Sequence, residues 1–94
     1  MRMDDRVRLT PRAHAVYELG DGLLLVFKPA GHVEPIHVHA HAQRLRIVRG
    51  QLRVELAATS VVLSAQSAPL LLAAGQPHAT SAVEATWLIA ETPV

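Results

Sequence analysis

Apolar residues recur at every second position through most of this chain, and a period of two is the mark of a strand with one face buried. "QRLRIV" (43–48) and "QLRVEL" (51–56) alternate cleanly. That spacing predicts a hairpin over 43–56 with Gly50 at the bend. "GLLLVF" (22–27), "TSVVLS" (59–64), "PLLLAA" (69–74) and "TWLIAE" (86–91) read as further short strands. Gly20, Gly22, Pro29, Gly31, Pro69, Gly75 and Pro77 fall between them, as tight turns require. No window of about a dozen residues keeps helical spacing without a glycine or proline interrupting it. Short strands separated by regular turn signals predict an all-β sandwich or barrel.

Two runs do not alternate. Leu23 to Phe27 and Leu70 to Ala74 are apolar at every position, so both faces of those strands need cover. A domain with one core covers only one of them, which points to a subunit interface and a homodimer. Residues 1–12 read as an N-terminal arm or edge strand, and "RVRLTPR", with Val7 and Leu9 alternating, could add a strand to a partner's sheet.

A chain of 94 residues makes one small domain, 1–94. It contains no cysteine, so disulfides and thiolate metal sites are excluded. Nine Lys and Arg against eight Asp and Glu give a net charge of +1, which implies no nucleic-acid partner. Arg44, Arg46, Arg49 and Arg53 read as a solvated strand face opposite Leu45, Ile47, Leu52 and Val54, because no aromatics interleave them. No apolar run approaches the roughly 18–20 residues that cross a bilayer, and "MRMDDRVRLTPR" lacks the apolar stretch of a signal peptide. The expected location is the cytoplasm.

The chemistry concentrates in "GHVEPIHVHAHAQRLRIVRG" (31–50), which carries four histidines. Residues two apart share a strand face, so His37 and His39 point one way, with His41 if the extension continues. Gln43 shares a face with Leu45 and Ile47, which places it inward beside the pair. Two imidazoles so close repel when protonated and read better as neutral ligands. A third donor is available in "AAGQPHAT", where His78 begins a strand after the Gly75–Pro77 turn.

At this point the chain resembles a small single-domain cupin. The family's first motif, G-x5-H-x-H-x3,4-E-x6-G, is matched by Gly31, His37, His39, Gln43 and Gly50, with glutamine where the family usually has glutamate. The second, G-x5-P-x-G-x2-H-x3-N, is matched at Gly75 and His78. Ala73 stands in place of the proline, Ala82 in place of the asparagine, and the initial glycine is missing. The resemblance implies a jelly-roll β-barrel of two antiparallel sheets, about six to eight strands in all. It also implies one divalent transition metal per chain (Zn, Ni, Cu, Fe or Mn) on His37, His39 and His78, with Gln43 as fourth donor. In the alternative, Gln43 only hydrogen-bonds a ligand or water. His41, in the turn, matches no family ligand and is expected to be exposed or to act behind the ligands. His14 and His32 match nothing and are expected at the surface.

Two classes of function follow. The first is a metalloenzyme, dioxygenase-like or isomerase-like with oxidoreductase chemistry placed first, acting on a small enolic or phenolic molecule. No general base is evident among the inward residues, and Tyr17, Phe27 and Trp87 are the only aromatics able to stack on a substrate. The second is a non-catalytic module that binds or senses a small ligand or a metal.

Overall fold

The alternating runs become strands in the computed structural model, which describes residues 7–9 and 14–93. Ten strands are formed among the described residues: β1 (Val7–Leu9), β2 (Ala15–Gly20), β3 (Leu23–Lys28), β4 (Val33–His37), β5 (Gln43–Arg49), β6 (Gln51–Glu55), β7 (Ser60–Ser64), β8 (Leu70–Leu72), β9 (His78–Ala82) and β10 (Thr86–Glu91). There is no helix among these residues, hence none long and apolar enough to cross a membrane. The strands pair antiparallel in two sheets, ordered β1-β2-β3-β10-β5-β8 and β4-β9-β6-β7. This is the all-β jelly roll expected of the sequence, with ten strands where about six to eight were expected. The expected N-terminal strand forms at Val7–Leu9, but on its own chain, paired with Ala15–Tyr17 of β2. The rest of the expected arm, 1–6 and 10–12, lies outside the described residues.

Leu45 and Ile47 from one sheet meet Leu52, Val54, Leu63 and Ala82 from the other, with Val26, Leu72, Leu88 and Ala90 completing the core. Leu52 and Val54 have no exposed surface. The exposed Arg44, Arg46 and Arg53 confirm the alternation from the solvent side.

The hairpin expected over 43–56 is not one. β5 pairs with β10 and β8, whereas β6 pairs with β7 and β9, so the chain changes sheets at Gly50. The same holds for the turn between β4 and β5. Alternation reports which residues face inward but not which strand lies alongside. Gly50 has φ +99° and fits a corner against the β9–β10 loop. The Thr86 hydroxyl fastens that corner. It accepts the Gln51 N–H at 3.2 Å and lies within 3.0 Å of the carbonyls of Gln51 and Glu84, either of which takes its proton.

The two non-alternating runs behave differently. On β3, Leu24 and Val26 face inward, while Leu25 and Phe27 lie on the outer face beside Tyr17, Trp87 and Ile89. Phe27 and Trp87 have ring centroids 4.8 Å apart, and Tyr17 and Trp87 6.2 Å. All three aromatics are therefore outside the barrel, contrary to the expectation that they could stack on a substrate. In the second run only Leu70–Leu72 is a strand. Leu72 is buried, and Leu71 stays 55% exposed.

Candidate metal centre

A cavity of about 270 Å3 lies between the sheets. Val16, Leu24, Val26, Leu45, Leu52 and Leu88 form its apolar wall. His37, His39, Gln43 and His78 stand together on its polar side, so the structure gathers every residue singled out as a candidate ligand. His37 ends β4 and is paired directly with His78, which begins β9. His39 follows the strand end, and its carbonyl accepts the Gly75 N–H at 2.9 Å, tying it to the turn that precedes His78. Gln43 reaches the cavity from the start of β5, on the other sheet.

The imidazoles are oriented by their own backbone. His37 Nδ1 lies 2.7 Å from the Pro35 carbonyl and His78 Nδ1 3.0 Å from the Gln76 carbonyl. A carbonyl only accepts, so both Nδ1 atoms carry the proton and each neutral ring keeps its lone pair on Nε2. Hydrogen-bonding the far nitrogen is how histidine ligands to metals are held. The three rings face one another with centroids 4.4–5.1 Å apart, and one ligand atom from each lies within 4.8 Å of the others. His37 Nε2 and His39 Nε2 are 3.2 Å apart. Nitrogens bound to a tetrahedral zinc at about 2.0–2.1 Å stand about 3.3–3.4 Å from each other, so this pair is spaced as two ligands of one ion. Burial, and then the neighbouring His37 and His78, hold the His39 imidazole below the ordinary histidine range, which favours the neutral form that ligates. His41 is exposed in the turn.

Two expectations fail. His14 and His32, expected at the surface, are only 7% and 6% exposed. The inward set also contains a carboxylate, because Glu34 lines the cavity together with His14 and Lys28. A break in register explains why. Glu34 pairs with Thr80 and His37 with His78, and the irregularity between them leaves Pro35 and Ile36 unpaired. Strict alternation sends residues three apart to opposite faces, but the bulge turns Glu34 and His37 to the same one. The proline inside an otherwise extended run, on a strand at the sheet edge, was the available sign. Burial raises the proton affinity of Glu34. Lys28, the hydrogen bond from His32 and the charges of His14 and His32 outweigh it, and its carboxyl stays below the ordinary range.

Two antiparallel sheets enclosing a cavity with three converging imidazoles define the cupin architecture. The solved structures bear out the fold. A RmlC-like cupin from Shewanella frigidimarina superposes with a TM-score of 0.76 at 17% identity, over 94% of this chain and 83% of that one. Hydroxypropylphosphonic acid epoxidase from S. wedmorenis gives 0.74 at 17%, over 99% and 58%. Rhodobacter sphaeroides SigE in complex with the anti-sigma ChrR gives 0.73 at 19%, over 96% and 49%. No family model and no curated protein matches the sequence. The chain has the cupin fold, with histidine and glutamate groups that could hold a metal.

Proposed function

We propose that this cupin domain is a metalloenzyme holding one divalent transition metal on His37, His39 and His78, with Gln43 as a neutral fourth donor. Its substrate is a small enolic or phenolic molecule, and oxidation is favoured over isomerisation. The observation that carries the reading is the convergence of the three imidazoles, two with Nδ1–H committed to backbone carbonyls, opposite the apolar wall of the cavity. A bound metal supplies Lewis acidity or redox chemistry and keeps positions open for a second ligand. The apolar wall favours an apolar part of the substrate on that side, and about 270 Å3 admits only a small molecule. The epoxidase among the structural neighbours supports the enzymatic reading, and the anti-sigma complex is compatible with a module that only binds. Oxygen uptake by protein loaded with Fe2+, Ni2+ or Cu2+ and given acetylacetone as probe separates the two. Sustained uptake above that of the free metal supports the enzyme. Tight binding of the diketone without turnover supports the binding module.

Gln43 sets the charge of the centre. A carbonyl oxygen leaves the ion with its full +2, whereas a carboxylate would cancel half of it. Gln43→Glu is expected to tighten Zn2+ binding about tenfold or more and to weaken azide binding by a similar factor. Unchanged azide affinity in the variant would show that Gln43 does not touch the ion.

The homodimer belongs to the same proposal. Tyr17, Leu25, Phe27, Trp87 and Ile89 form a contiguous apolar patch on the six-stranded sheet, beside Arg44 and Glu91, which pair at 2.8 Å. An apolar centre with a charged rim suits a second copy of the same face. Leu25→Asp is expected to shift the sedimentation mass from two chains to one chain of 10.2 kDa. A wild-type protein already sedimenting as one chain at micromolar concentration contradicts the dimer.

A further inference from the structure

We propose that His14, His32 and Glu34 form a second divalent-cation site, built from two imidazoles and one carboxylate and independent of the trihistidine centre. His14 Nδ1 and His32 Nε2 are 2.9 Å apart, and Glu34 Oε1 lies 3.3 Å from the first and 3.4 Å from the second. Donors at about 2.0–2.2 Å from a common ion stand about 2.8–3.1 Å apart at right angles and about 3.3–3.6 Å apart at tetrahedral angles. All three edges fall at or between these two geometries. Two histidines and a carboxylate on one face of an ion leave its other positions open.

Protons alone do not satisfy this triangle. A proton on His32 Nε2 directed at His14 leaves the His14 Nδ1 lone pair against a carboxylate oxygen. Protons on both nitrogens directed at Glu34 set two N–H groups against each other across 2.9 Å. With Glu34 ionised, every assignment leaves one edge repulsive, whereas a cation at the centre gives all three donor atoms one shared attractive partner. The donors are already held in place, since His14 and His32 are buried and Glu34 is fixed in β4. A second observation points to a ligand here. Thr80, paired across the sheet with Glu34 and 7% exposed, lines the cavity, and its buried hydroxyl has no hydrogen-bond partner among the described residues. His14 and Glu34 line the same cavity as Thr80. Lys28 opposes the ion. Its Nζ is 3.6 Å from the same Glu34 oxygen, and its positive charge lowers the affinity of this site.

The test uses full-length protein without a histidine tag, stripped of metal and titrated with Zn2+ by calorimetry and with Co2+ by visible absorption. Two ions per chain are expected. His37→Ala with His39→Ala leaves one, and Glu34→Gln with His32→Gln leaves the other. Circular dichroism verifies the fold of each variant. A single ion lost only in the His37/His39 variant overturns the second site and leaves the trihistidine reading standing. A single ion lost only in the Glu34/His32 variant does the reverse. Lys28→Met, which keeps all three donors, is expected to tighten the second ion at least about tenfold. An unchanged second affinity in that variant, like a wild-type stoichiometry of one unaffected by Glu34→Gln, contradicts the proposal.

Discussion

Replacing His37 and His39 together by alanine is expected to lower the affinity of the trihistidine centre for Zn2+ at least about a thousandfold while leaving the barrel folded. The size follows from what is removed. Disturbing only the groups that orient a metal ligand costs about 10- to 100-fold, and here two direct ligands are lost. Survival of the fold follows from where they lie. Both rings are half-buried at and beyond the end of β4, outside the cluster of Leu52, Val54 and Leu88. Truncating partly exposed side chains of this kind changes stability by about 1 kcal/mol. Equilibrium dialysis against Zn2+ checks the first part and thermal unfolding of the metal-free proteins the second. A Zn2+ affinity within tenfold of wild type at this centre contradicts the assignment.

Gly50→Ala is expected to be strongly destabilising. Two costs add. The residue sits at φ +99°, where a Cβ carries a penalty of about 1–2 kcal/mol. That Cβ would also run into the Ala85 carbonyl oxygen and stand 2.7 Å from the Thr86 hydroxyl and 2.8 Å from Thr86 Cα. The obstacles are mostly backbone and cannot turn away as a side chain would. A total of about 3 kcal/mol or more is a large share of the roughly 5–15 kcal/mol that stabilises a domain. At about 4–8 °C per kcal/mol for a chain of this size, Tm should fall by about 12–24 °C, read by circular dichroism. A drop below about 4 °C would mean that the corner is not as tight as described.

The sequence carried the strands well because period two survives folding wherever one face is buried. β10 runs over Thr86–Glu91 as expected, and β5 and β6 differ from their expected bounds by a residue at one end. The convergence of His37, His39, Gln43 and His78 was legible because strand parity and motif spacing pointed the same way. Partner choice was not. Gly50 and the 38–42 turn look like hairpin bends in one dimension, yet each moves the chain to the opposite sheet. The buried cluster of His14, Lys28, His32 and Glu34 was invisible for a related reason. The bulge at Pro35–Ile36 reverses parity within one strand, and the contact of His14 with His32 spans 18 residues. The apolar run on β3 did signal an apolar outer face, but the aromatics that enlarge it arrive from β2 and β10.

The most direct test of the central claim is an anomalous difference map from crystals of the metal-free protein soaked in Zn2+, recorded on both sides of the zinc absorption edge. A peak is expected about 2.0–2.2 Å from the Nε2 atoms of His37, His39 and His78, present above the edge and absent below it. Well-ordered rings for all three histidines with no such peak among them would contradict it.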